Sequence, residues 1–215
     1  MQILAHRGFW REKEEQNTLA SLAKAFEMGF GIETDLRDGG GGGGGNLLLS
    51  HDIPTSLSEK AGEFFQFYHA HSFHFPLALN IKADGLQKHL LEFIKRYEIK
   101  NYFVFDMSVP DALLYLKEGL NVFTRQSEYE KEPSFYEDAC GVWLDEFHTH
   151  YIDEKLILEH LENGKQIAIV SPDLHKRSYE KEWEEYKKII TKHKLYGKIM
   201  LCTDKVLEAK EFFND

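Results

Sequence analysis

Three short motifs near the start of the chain hold the residue types that act on phosphate: His6-Arg7-Gly8, Glu33-Thr34-Asp35 and His51-Asp52. Arginine offers a planar fork of donors that matches an anion. Paired carboxylates offer hard oxygen ligands to Mg²⁺ or Ca²⁺. Two imidazoles can take up and give back a proton near neutral pH. Glu33 and Asp35 are two apart, so on a strand both side chains point the same way. Each motif ends an apolar run: Gln2-Ile3-Leu4-Ala5, Gly31-Ile32 and Leu47-Leu48-Leu49-Ser50. If those runs are strands of one parallel sheet, the motifs meet at its carboxyl rim, where α/β folds bind ligands.

The elements needed to hold them are legible as alternating apolar strands and amphipathic helices. Strands are predicted at 2–6, 31–36, 47–51, 77–82, 101–106, 120–125, 141–146, 166–171 and 198–203. Helices are predicted at 17–28, 59–70, 86–97, 110–118, 133–138, 153–163, 177–194 and 205–213. The first helix has Asn17 or Thr18 as its cap, an apolar face of Leu19, Leu22, Ala23 and Phe26, and Gly29 as its stop. The run at 47–51 follows 31–36 without an intervening helix and reads as the return arm of a hairpin. Setting it aside leaves eight β-α units. The expected fold is therefore an α/β TIM (β/α)8 barrel, compact, with a hairpin extension after strand 2, in a single domain over 1–215. Seven glycines, Gly39 to Gly45, would form an over-long hairpin tip.

The ordered motifs resemble those of the glycerophosphodiester phosphodiesterase family. That family's pattern is His-Arg-Gly, Glu-Asn-Thr, Glu-x-Asp, His-Asp and then Glu-x-Lys. Here the segments read His6-Arg7-Gly8, Gln16-Asn17-Thr18, Glu33-Thr34-Asp35, His51-Asp52 and Asn80-Ile81-Lys82. The match covers about the first 85 residues, with a fainter echo of the closing strand at Leu201-Cys202-Thr203-Asp204. The resemblance implies His6 and His51 as acid and base. It implies Glu33, Asp35 and Asn80 as ligands of Mg²⁺ or Ca²⁺, and Arg7 and Lys82 on the phosphate. Two departures stand out. Gln16 replaces a glutamate, and Asn80 replaces the third metal carboxylate, which weakens the metal site by one charge. Asp106, Glu128, Asp145 and Glu146 are strand-end carboxylates that could compensate, Asp106 first among them. A site with little or no metal is the alternative.

Arg125 and Trp143 also fall at predicted strand ends and are expected to line the substrate pocket, unless they serve a salt bridge and the core. The implied substrate is a small glycerophosphodiester, cleaved to a phosphomonoester and an alcohol. Two other readings stay open: a phospholipase C-like enzyme on a lipid or glycan phosphodiester, and a barrel that binds a phosphodiester without cleaving it.

Composition narrows the partners. With 26 Lys and Arg against 36 Asp and Glu, the net charge of −10 leaves no basic surplus for a nucleic acid or an anionic membrane. No apolar stretch has the length of a membrane span. The chain enters a strand directly, without a basic and apolar leader, so the cytoplasm is the expected compartment. Cys140 and Cys202 sit in strand-like runs and are expected to be buried thiols without a disulfide. Sequence does not fix the oligomeric state. The aromatic run Phe64-Phe65-Gln66-Phe67-Tyr68, with Phe73 and Phe75, is expected to pack a helix onto the sheet.

Overall fold

A computed structural model of the chain describes residues 1–39 and 47–214. Its elements in chain order are β1 (Gln2–His6), α1 (Leu19–Glu27), β2 (Gly31–Asp38), β3 (Leu47–Leu49), β4 (Glu59–Lys60), α2 (Ala61–Ala70), β5 (Leu77–Ile81), α3 (Gln87–Arg96), β6 (Tyr102–Phe105), α4 (Val109–Lys117), β7 (Phe123–Ser127), β8 (Gly141–Asp145), α5 (Glu154–Glu162), β9 (Gln166–Val170), α6 (Glu180–His193), β10 (Ile199–Thr203) and α7 (Val206–Asn214). Contacts divide the chain into two compact units, one of Met1–Ala5 with Phe123–Asp215 and one of His6–Val122.

In the unit His6–Val122, β2 pairs in parallel with β5, and β5 with β6. The register sets Asp35 opposite Asn80 and Glu33 opposite Ala78. β5 is buried along its whole length, as a parallel strand covered on both faces must be. β3 returns antiparallel on β2, with Leu36 opposite Leu49 and Asp38 opposite Leu47. The hairpin read from sequence is therefore present, and β4 extends it by two residues. Its glycine tip lies outside the described residues. α1 starts at Thr18, whose hydroxyl accepts from Ser21 N at 3.2 Å. It buries Leu22, Ala25 and Phe26. The aromatic run packs as expected: Phe64 and Phe65 are fully buried, and Phe26 meets Phe64, Tyr68, Phe73 and Phe75 ring to ring.

In the other unit, β1 pairs with β10, β10 with β9, β9 with β8 and β8 with β7, all in parallel. Leu4, Val142, Leu144, Ile167, Ile169 and Leu201 are buried on these strands. Asp153 caps α5 through Leu156 N at 2.8 Å. Trp183 of α6 packs on Phe213 of α7 and donates its indole N–H to Ser171 Oγ at 2.9 Å. Neither cysteine is in a disulfide.

Setting β3 and β4 aside leaves eight parallel strands among the described residues, the number predicted. The helix predicted at 133–138 is absent. Phe135 takes a left-handed φ of 45°, and Asp138 N and Ala139 N both turn back onto its carbonyl, closing a tight turn. Thr124 Oγ1 instead ties the segment to Ser134 O at 2.7 Å.

Candidate active site

His6 ends β1 and Arg7 follows it, Glu33 and Asp35 lie midway along β2, and Asn80 and Lys82 lie at the end of β5 and just beyond it. Arg7 leaves β1 with a left-handed φ of 56°, an uncommon conformation for a side chain of this size. Its backbone is held on both sides. Arg7 N donates to Glu33 O at 2.9 Å, and Arg7 O accepts from Asn17 N at 3.0 Å. Gly8 follows at φ 90°, and a Cβ there would lie 2.5 Å from Ser21 Oγ and 2.7 Å from Ser21 C. Only glycine lets α1 approach this turn, and Phe9 N closes the approach by donating to Ser21 O.

Asp35 is fully buried and lies at the middle of the charges. Arg7 Nε lies 3.0 Å from its Oδ2, and Lys82 Nζ 3.5 Å from its Oδ1. Lys82 also reaches Asp106 Oδ2 at 3.6 Å. Asp106, at φ 71°, is the compensating carboxylate that sequence put first, and here it acts through the lysine. Gln16, in the position of the family's glutamate, accepts from Arg7 Nη1 at 3.2 Å. The ion pair between Arg7 or Lys82 and the acidic strand is thus formed, and Asp35 is its anion.

Asn17 does not cap α1, since Thr18 does. Its buried amide locks the acidic strand. Asn17 Oδ1 accepts from Thr34 Oγ1 at 2.7 Å and from Asp35 N at 3.1 Å, while Asn17 Nδ2 donates to Asp35 Oδ2 at 2.8 Å. Its φ of 57° is one that asparagine tolerates better than most residues. Sequence reasoning missed this role. The available signal was two capping residues side by side, of which a helix needs one.

Glu33 is 2% exposed, and burial pushes its carboxyl from 4.5 up to about 7. The Asp35 carboxylate adds to that rise, and His6, Arg7 and Lys82 oppose it. His6 Nε2 lies 3.9 Å from Glu33 Oε2, and Trp10 Nε1 donates to His6 O at 3.0 Å. His51 lies just past β3. Arg37 Nη1 donates to its carbonyl at 3.0 Å, and its ring Nδ1 lies 2.9 Å from Asp52 Oδ1. The exposed Asp52 carboxyl is held below its usual range, first by that bond and more weakly by the charges of Arg7 and Lys13.

Glu33, Asp35 and Asn80 offer oxygens only, the donor set of a hard divalent ion. Asp35 Oδ1 and Asn80 Oδ1 are both buried without a hydrogen bond, so two acceptors on neighbouring strands have unused lone pairs. The residues present therefore fit such an ion. A second donor set lies in the other unit: Glu146, His150 and Glu182 bring ligand atoms within 4.8 Å of one another. Among the described residues it is the one set built from His and carboxylate donors alone.

Arg125 and Trp143 stand in register on β7 and β8. Trp143 is buried, and Arg125 Nε pairs with Glu130 Oε2 at 2.5 Å. These contacts are those of the core and the salt bridge that sequence left open.

No family model matches the sequence, and no curated protein matches it. Solved structures do. A structure from Galdieria sulphuraria, provisionally assigned as a glycerophosphodiester phosphodiesterase, superposes with a TM-score of 0.78 at 19% identity, over 100% of this chain and 98% of that one. A glycerophosphodiester phosphodiesterase from Agrobacterium tumefaciens gives 0.65 at 12% identity, over 99% and 98%. A glycerophosphoryl diester phosphodiesterase from Parabacteroides distasonis gives 0.67 at 13%, over 99% and 86%. This full-length likeness shows the fold, an α/β barrel of the TIM (β/α)8 kind. Chemistry has to be argued from the site.

Proposed function

We propose that the chain is a phosphoric diester hydrolase that cleaves a small glycerophosphodiester to a phosphomonoester and an alcohol. The observation that carries this reading is the convergence of side chains from β1, β2 and β5 and the residues just beyond β1 and β5. A histidine, an arginine and a lysine surround two buried carboxylates, with unused oxygens on Asp35 and Asn80. The shared fold of the three phosphodiesterase structures supports it.

In this reading Arg7 and Lys82 bind the phosphate oxygens, and Asp35 and Asn17 hold Arg7 in place beforehand. Cleavage breaks the bond from phosphorus to the alcohol oxygen, so one proton must leave the attacking oxygen and one must reach the departing alkoxide. His6 and His51 are the proton carriers. Glu33, Asp35 and Asn80 would hold Mg²⁺ or Ca²⁺, which when bound supplies positive charge to the phosphate.

The test is hydrolysis of a panel of glycerophosphodiesters with Mg²⁺, Ca²⁺ or chelator. Loss of activity on chelation, and a fall of roughly 10²- to 10⁴-fold in His6→Ala and His51→Ala, are the expected results. Asn80→Glu should tighten metal binding. Turnover that survives both histidine changes would overturn the mechanism.

One observation favours a second reading, a lipid-borne phosphodiester. Ile53 is 79% and Leu57 89% exposed on the segment that follows His51. Activity that appears only when the diester is presented in vesicles would select it. For a soluble exposed segment, mutation of both residues to serine would leave turnover unchanged.

A further inference from the structure

We propose that Glu146, His150 and Glu182 form a second, separate metal site, suited to a borderline transition ion such as Zn²⁺. It is built entirely from the unit of Met1–Ala5 with Phe123–Asp215 and does not rest on the phosphodiesterase reading. Glu146 follows β8, His150 lies in the loop leading to α5, and Glu182 is in the first turn of α6. Two carboxylates and one imidazole form a mixed oxygen and nitrogen set, which suits Zn²⁺ better than Mg²⁺ or Ca²⁺.

Two observations point to a cation. First, Glu146 is fully buried and its two oxygens have different partners. Oε1 accepts from Tyr151 N at 2.6 Å and Ile152 N at 2.7 Å. Oε2 faces His150 Nδ1 at 3.1 Å, which it shares with Oε1 at 3.0 Å, Tyr186 Oη at 3.4 Å and Arg177 Nη1 at 3.8 Å. Backbone donors thus hold the carboxylate while leaving one oxygen for a ligand. Second, Glu182 Oε2 is shut off from solvent and has no hydrogen-bond donor, although its other oxygen accepts from Arg177 Nη2 at 2.5 Å. It lies 3.9 Å from His150 Nδ1 and completes the triangle of donors.

The surroundings are those of a metal-bound histidine. His150 Nε2 lies 3.3 Å from Glu185 Oε2, so the ring can donate outward to Glu185 and turn Nδ1 inward as a ligand. A carboxylate behind the imidazole fixes its tautomer and raises its basicity. Arg177 is anchored beside the donor triangle: its Nη1 donates to Glu146 O at 2.8 Å and lies 3.8 Å from Glu146 Oε2.

The experiment counts Zn²⁺ bound by the full, tag-free chain, titrated against a chromogenic chelator. The proteins are wild type, His150→Ala, Glu182→Gln, Glu185→Gln and, as a control on the other donor set, Glu33→Gln. Glu182→Gln keeps the acceptor for Arg177 and so decides the matter if His150→Ala fails to fold. One Zn²⁺ equivalent is expected to vanish in His150→Ala and Glu182→Gln and to persist in Glu33→Gln. Glu185→Gln should weaken that equivalent by roughly 10- to 100-fold. A wild type that binds no Zn²⁺, or the same number of equivalents in wild type and Glu182→Gln, would overturn the proposal.

Discussion

Asn17 gives the sharpest test of how the candidate active site is held together. Its amide accepts from Thr34 Oγ1 and Asp35 N and donates to Asp35 Oδ2, all out of contact with water. Truncation in Asn17→Ala leaves two buried donors without acceptors, each costing about 1–3 kcal/mol. Asp35 Oδ2 keeps Arg7 beside it, so the third bond costs only about 1 kcal/mol. The left-handed backbone adds about 1 kcal/mol for alanine. Together these predict a loss of about 4–8 kcal/mol in urea unfolding. Asn17→Asp separates the parts. It keeps the two accepting bonds but sets a second carboxylate oxygen where Nδ2 stood, 2.8 Å from Asp35 Oδ2. That variant should approach wild-type stability in mild acid, where the pair can share a proton, and lose stability as pH rises. Asn17→Ala should show no such added pH dependence. A loss below about 1 kcal/mol in Asn17→Ala, or parallel pH profiles for the two variants, would refute the reasoning.

Two further outcomes follow from the same region. Glu33 titrates at about 7 in the folded chain against 4.5 unfolded, so the native state binds the extra proton between those values. Its contribution is fully present below about pH 4.5 and is lost as pH rises through about 7, at most roughly 3 kcal/mol. In chelator, Glu33→Gln should match wild type at pH 4.5 and exceed it by up to that amount at pH 8, and a pH-independent difference would contradict the burial argument. Gly8→Ala should lower stability by about 2 kcal/mol or more, and the thermal midpoint with it, because a methyl there meets Ser21 side chain and backbone; an unchanged midpoint would show that α1 moves aside at no cost.

The motif ends were legible because a strand has a simple period. Glu33 and Asp35 had to share a face, and His6-Arg7-Gly8 had to end an apolar run. The hairpin after β2 was legible from the missing helix. Its β4 rung was not, since Glu59-Lys60 has no apolar signal and pairs only because β3 is there. The helix read at 133–138 failed for a local reason, a left-handed Phe135. Boundaries of the remaining helices shifted by one or two residues at caps such as Thr18, Ser108 and Asp153, and by three at the start of α6.

The sequence by itself determined the alternation of elements, the acidic pair, the phosphate-type residues on the strands and the net charge of −10. These follow from periodicity and composition, which are properties of neighbours along the chain. Tertiary structure alone decided what those residues touch. It set Asn80 beside Asp35, gave Lys82 to both Asp35 and Asp106, and turned Asn17 from a helix cap into the brace of the acidic strand. It also gathered Glu146, His150 and Glu182 across a loop and a helix. No spacing rule links residues that far apart, because their proximity is set by how whole elements pack, and the buried pKa of Glu33 arises from that same packing.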